Sequence, residues 1–258
     1  MALFRDRNFV TASVMIFVTS VVNVIPTTVI PLFVQNVQGY DVLYTGILLT
    51  PRGVGAVLIM LFLGRVADRT DIRVVILIAM LLQAVSAYAF RFITPDWPGN
   101  QLMCWSTVAA IGTSMSTLPL NLIAFSTLSP QMRPMGASLY ALVRNVSQGL
   151  GAALTISYIA RSTEANHVRL LERISIYNPI MTGPGMPDSW SATSPLSLKL
   201  MSLEVWRQAS VIAYANLFTI SAIGVFFFLP LLLIVRAPKR KSAPNPVEEA
   251  EILEPSAA

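Results

Sequence analysis

Apolar residues fill this chain in long runs broken by short polar turns. The runs cover 9–34, 42–63, 74–92, 102–128, 136–160 and 209–235. Each lies in or above the ~17–25 residues that an α-helix needs to cross a hydrocarbon layer. Backbone polar groups in such a layer have to bond within their own segment, so runs of this kind are read as helices. The pattern predicts an all-α integral membrane bundle of six transmembrane helices.

The segments between the runs differ in character. Residues 1–8 form a short polar start, and 64–73 (GRVADRTDIR) a compact charged turn. TPDWPGN at 94–100 is a Pro/Gly turn that places Trp97 at a membrane interface. Residues 161–208 are the long extramembrane segment. There Ala165, Val168, Leu171 and Ile174 recur at near-helical spacing, which predicts a short amphipathic helix. A Pro/Gly/Ser-rich loop follows, and a second short helix is expected over 196–208, leading into the last span at 209–236. Residues 237–258 are polar and then acidic, with too few apolar residues to pack, and read as a disordered tail.

Basic residues orient the bundle. Arg5, Arg7, Arg65, Arg69, Arg73, Arg133, Arg236, Lys239, Arg240 and Lys241 all fall on one side if the helices alternate. By the positive-inside rule both termini are cytoplasmic. Those of the long segment, such as Arg161, His167's neighbour Arg169 and Arg207, fall on the other side, where long loops weaken the rule.

Composition narrows the function classes. Of 258 residues, 54% are hydrophobic and 12% charged, against about 25% charged in a soluble domain. The net charge of +5 sits beside apolar runs and is no nucleic-acid signal. One cysteine, Cys104, and one histidine, His167, supply neither a disulfide nor a metal cluster. With no nucleophile–base pair, phosphate-binding loop or dinucleotide fingerprint, neither an enzyme nor a cofactor is expected.

The fifth span carries the candidate chemistry. On a helix, Tyr140, Arg144, Gln148, Gly151 and Thr155 share one face, while Leu139, Val143, Val146, Leu150 and Leu154 fill the opposite one, suited to lipid. Arg144 lies roughly 12 Å along the axis from Gly136 at ~1.5 Å per residue. A charge at that depth costs at least ~2.5–3.5 kcal/mol and faces a bundle interior or a wet cavity. It either pins neighbouring helix ends through carbonyls or lines a polar pathway. Arg52, in the second span, sits at similar depth between Pro51 and Gly53. All thirteen acidic residues lie in turns, loops, span ends or the tail, so the wall is cationic and favours anionic or carbonyl-rich groups. Asn121 and Asn145 add neutral donors and acceptors. The predicted cavity lining is Arg144, Gln148, Tyr140, Asn145, Arg52 and Asn121.

The turn at 64–73 has its own logic. Gly64 would let two helix ends approach, Asp68 would accept from a helix N-terminus or an arginine, and Arg69 and Arg73 would pair back or meet lipid phosphates.

The segments LFRDRNF, GILLTPRGVGAVLIMLFLGRVADRTDIR, LPLNLIAFSTLSPQMRPMGASLYALVRNVSQGLG and NHVRLLERISIYNP, in that order, resemble the C-terminal half of major facilitator superfamily exporters of the EmrB/QacA type, fourteen-helix drug:proton antiporters. The resemblance implies a gating role for Gly64, Asp68, Arg69 and Arg73, and a cavity-facing place for Arg144. Asp71 stands where that turn usually has glycine, and Asn216 where the last span often carries an acid. It also implies a half-permease of a proton-coupled multidrug efflux transporter in the bacterial inner membrane. Such a half would act by alternating access with the missing N-terminal half or a companion permease subunit. Its partners would be an amphipathic small-molecule substrate and a periplasmic adaptor protein. The alternative is a truncated non-transporting fragment or a regulatory membrane subunit.

Overall fold

A computed structural model describes residues 6–66, 71–173 and 195–230. The described chain is all-helical: α1 (Arg7–Asn36), α2 (Val42–Val66), α3 (Ile72–Phe90), α4 (Gly99–Ser126), α5 (Arg133–Arg173) and α6 (Pro195–Phe228). Asp6 starts α1 by accepting from the backbone N–H groups of Asn8 at 3.0 Å and Phe9 at 3.3 Å, which satisfies two of the donors that a helix start leaves free. α1 passes through Pro26 and Pro31, and α2 through Pro51, without a break. The hydroxyl of Thr27 donates to the Asn23 carbonyl beside the first of these prolines.

α1 is central, packed against α4, α5 and α6, while α3 packs on α4 and α6, and α2 lies mainly along α4. α2 is the edge helix: 17% of its most apolar window is buried, against 50% for α1. Among the described residues, five helices are long and apolar enough to cross a membrane. α5 is the one left out, and the reason is the polar set Arg144, Asn145 and Gln148 in the middle of its apolar run.

Two apolar cores stack along the bundle axis. Phe9, Met15, Ile76, Met80, Leu120, Ile123 and Val225 build one; Val29, Phe33, Phe90, Leu102 and Phe218 build the other, with the Phe90 and Phe218 rings stacked at 4.7 Å. Between them lies a layer of small polar side chains, including Gln83, Ser86, Ser116 and Ser221, all buried. Gln83 Nε2 donates to Ser116 Oγ at 3.3 Å and joins α3 to α4 there. The same two helices touch at Gly112, where a Cβ would come within 2.8 Å of the Ala79 carbonyl oxygen. Close backbone approach of this kind is what small residues provide in membrane bundles.

Two expectations change. The short helices foreseen at either end of the long segment are continuations of α5, which runs to Arg173, and of α6, which begins at Pro195. The residues between them, and the tail from 231 on, lie outside the described residues. In addition, Leu139 and Val143, read as lipid-facing, pack against the first apolar core. They lie against Phe9, Ser13 and Phe17 of α1, and of that face Val146, Leu150 and Leu154 are exposed.

Candidate functional site

Near the midpoint of α1, α2 and α4, two side-chain donors converge on one acceptor, Asn23 Oδ1. Arg52 Nη2 donates to Asn23 Oδ1 at 3.4 Å, and Thr113 Oγ1 lies 3.1 Å from the same oxygen. The Thr113 hydroxyl has a second acceptor at 2.9 Å, the Ala109 carbonyl one turn back, so its single proton is shared between a helix bond and the node. The α4 sequence that supplies this node is a hydroxyl run within an apolar helix: Thr113, Ser114, Ser116 and Thr117. Thr117 and Ser116 turn back onto the Thr113 carbonyl at 2.9 and 2.8 Å. Thr113 alone reaches across to α1.

The node floors a groove of about 270 Å³ lined by Asn23, Leu49, Arg52, Ala110, Thr113 and Ser114. Asn23 occupies one direction of the Arg52 guanidinium. A guanidinium carries five N–H donors and no acceptor, so most of its fork stays directed at whatever fills the groove. Arg52 has no ion pair among the described residues, where the one salt bridge joins Arg207 to Glu204 at 3.4 Å. A half-buried, unneutralised cation beside an amide oxygen and a hydroxyl suits an acceptor-rich group: a carbonyl, a carboxylate or another anion.

The remaining residues of the expected lining are distributed over two further places. Tyr140 is buried, with its ring edge-on to Phe125 at 5.6 Å. Among the described residues its hydroxyl has no hydrogen-bond partner. Arg144 and Asn145 are exposed on α5 and Gln148 is half-buried. Asn121 is half-buried on α4, seven residues after Ser114 and so on the same helix side as the groove wall. The structure thus joins Arg52 to Asn23 and Thr113, and places Arg144 on α5 one turn after the buried Tyr140. Sequence reasoning missed Thr113 and Ser114, whose signal was the clustering of hydroxyls in a span.

Of the charged turn, Asp68 and Arg69 lie outside the described residues. Gly64 and Arg73 are exposed on either side of it. A side chain at Gly64 would meet nothing within 4 Å, so among the described residues this glycine permits no close approach. Close approaches to a neighbouring backbone are made instead at Gly112 and Gly151, while Gly55 and Gly99 meet the side chains of Thr107 and Leu48.

The opposite rim is tied by three long-range bonds, from two side chains. Arg207 Nε donates to the Val37 carbonyl at the end of α1 at 2.6 Å. Gln38 Nε2 donates to the carbonyls of Trp97 at 2.8 Å and Pro95 at 3.3 Å in the α3–α4 turn. Further out, the His167 and Trp206 rings meet edge-on at 5.1 Å, and Asn166 Nδ2 donates to the Ala209 carbonyl at 3.4 Å, so the extensions of α5 and α6 pair with each other.

Comparison with known proteins gives this architecture a family. The profile described as "Major Facilitator Superfamily" matches residues 1–152. Similar curated proteins include the multidrug export protein EmrB of Haemophilus influenzae, 24% identical over 243 residues, covering 91% of this chain and 46% of the relative. The probable multidrug resistance protein EmrY of Escherichia coli is 23% identical over 241 residues, covering 92% and 47%. The fatty acid resistance protein FarB of Neisseria gonorrhoeae is 22% identical over 239 residues, again covering 92% and 47%. The chain spans about half the length of the curated relatives it matches. On the family match, which takes in α1 to α4 and half of α5, this multi-pass membrane chain belongs to the Major Facilitator Superfamily.

Proposed function

We propose that the chain is a half-permease of a multidrug efflux transporter, working against a second half that is either covalently joined to it or a separate subunit. The observation that carries this reading is the mid-depth groove floored by Asn23, Arg52 and Thr113. In secondary transporters the site lies near the bilayer midplane between two structural repeats, and α1, α2 and α4 here form one polar wall of such a site. Amphipathic small molecules are the substrates, held by their acceptor groups at Arg52 and by apolar surface elsewhere. Arg144, with Gln148, Asn145, Asn121 and Tyr140, extends the wall. Rocking of this bundle against its counterpart alternates access, driven by inward proton flow in the bacterial inner membrane, and no covalent step is involved. The 64–73 turn latches the inner face, and the long extensions of α5 and α6 meet a periplasmic adaptor.

The test is dye efflux from cells or proteoliposomes carrying the chain alone, the second half alone, and both. Export that needs both, and that Arg52→Gln abolishes while the protein remains inserted, is the expected result. Robust export by this chain alone would falsify the half-permease reading. Intact export by the second half alone, unchanged when this chain is added, would favour a regulatory subunit.

A further inference from the structure

Away from the Asn23–Arg52–Thr113 groove, a larger crevice of about 570 Å³ opens between α1, α5 and α6. That volume falls within the ~300–1,000 Å³ of small-molecule sites. Its lining is mostly apolar, with Val21 and Ile25 from α1, Leu217 and Ile220 from α6 and the exposed Leu154 of α5 at its edge, and Thr155 and Ser157 add hydroxyls. Gly151 closes its floor, because α1 and α5 touch there: a Cβ on Gly151 would stand 3.1 Å from Val21 Cα. From that contact the helices diverge. The other end is polar, lined by Tyr158, Arg161 and Ser162. Gly151 and Arg161 are ten residues apart on one continuous helix, so the crevice runs roughly 15 Å along α5 at ~1.5 Å per residue.

The two ends have the polarity of a membrane lipid. Arg161 stands at the rim, where the apolar run of α5 ends, and it has no hydrogen bond or ion pair among the described residues. Tyr158 and Ser162, one turn before it and next to it, bring hydroxyls to the same mouth. An arginine flanked by hydroxyls at the membrane surface recognises a phosphodiester through charge-assisted bonds, and the apolar slot below accepts hydrocarbon. We propose that this crevice binds one anionic glycerophospholipid, its phosphate at Arg161 and one acyl chain lying between α1, α5 and α6 down to Gly151. The occupant is a component of the bilayer itself, so it reaches the slot laterally. It wedges the α1–α5 pair on the open side of the contact at Gly151.

The purified full chain, equilibrated with equal amounts of phosphatidylglycerol and phosphatidylcholine of identical acyl composition, tests this by native mass spectrometry of retained lipid. One phosphatidylglycerol per chain, preferred by about fivefold, is the size of effect a single interfacial arginine gives. Arg161→Gln removes the preference without changing helical content. Leu154→Trp, which fills the slot, lowers retention of both lipids. Equal retention of the two lipids by the unaltered chain overturns the assignment, as does an unchanged preference in Arg161→Gln. Undiminished retention in Leu154→Trp overturns the placement of the acyl chain. Two further results also defeat it: displacement of the lipid preference by millimolar inorganic phosphate, which makes Arg161 a free-anion site, and loss of bound lipid when the second half is co-purified, which makes the crevice part of the interface between halves.

Discussion

Arg207, on α6, donates its Nε proton to the Val37 carbonyl oxygen at the end of α1, across 2.6 Å. The bond supplies a partner to one of the carbonyls that a helix C-terminus leaves open, and the positive charge sits where the helix dipole is negative. Glu204, one turn earlier on α6, holds the guanidinium from the other side at 3.4 Å. Removing the side chain unties α6 from the α1 end. Arg207→Ala is expected to cost about 1.5–3 kcal/mol, the range for a hydrogen bond to a charged group, measured as thermal or denaturant unfolding in detergent. Arg207→Lys keeps the charge but not the planar fork and recovers part of the loss. No change in either variant would remove the rim bond from the account.

Asn23 Oδ1 is the shared acceptor for Arg52 and Thr113. Asn23→Leu leaves the Arg52 guanidinium facing an apolar side chain at mid-depth. On the half-permease proposal, export by the two halves together is expected to fall tenfold or more, since about 1.4 kcal/mol corresponds to each tenfold, with membrane insertion intact. Thr113→Val, which keeps shape and loses one hydroxyl, has a smaller effect because Arg52 stays paired. A dye-efflux assay normalised to protein in the membrane reads both. Equal effects of the two variants would contradict the ordering.

Arg144 and Asn145 are exposed on α5 while Tyr140, one turn before Arg144, is buried. An exposed arginine holds no packing together, so Arg144→Ala is expected to leave the protein folded and inserted and to impair export. Protease protection and efflux measured on the same preparation separate the two. Degradation or misinsertion of the variant would assign Arg144 a scaffold role.

Gly112 admits no side chain without moving α3 from α4, because the Ala79 carbonyl is 2.8 Å from the Cβ position and Gln83 3.0 Å. Gly112→Ala is expected to destabilise by about 1–3 kcal/mol as overpacking does, and Gly112→Leu to prevent accumulation of folded protein. Gly149→Ala is the control, since nothing lies within 4 Å of its Cβ position. Matching melting curves for Gly112→Ala and Gly149→Ala would count against tight α3–α4 packing.

The helices were legible because a span is a statement about length and polarity, and each apolar run became a helix within the bundle. Less legible was where the long helices stop. Ala165, Val168 and Leu171 carry a surface-helix pattern, so they read as a separate element, yet nothing in the sequence between Ala160 and Ala165 breaks α5 and the helix continues. Arg52 was found because a charge in a span stands out. Thr113 was not, because a threonine in a membrane helix usually bonds its own backbone, and Thr113 does so as well as reaching Asn23. Leu139 and Val143 misled for the opposite reason: a leucine stripe looks the same whether it meets lipid or another helix. Only the packing of α1 against the start of α5 distinguishes the two.

The unbroken course of α5 has a mechanical consequence. Its 41 residues extend roughly 61 Å at ~1.5 Å per residue, about twice the ~30 Å hydrocarbon thickness. A stiff rod pivoting on the Gly151–Val21 contact turns a small inclination at the end carrying Tyr140 into a larger, opposite swing of the end carrying His167 and Arg169. Whatever grips the paired ends of α5 and α6 therefore holds the longer arm of a lever, 22 residues from Gly151 to Arg173 against 18 from Gly151 to Arg133, with Arg144 on the shorter one.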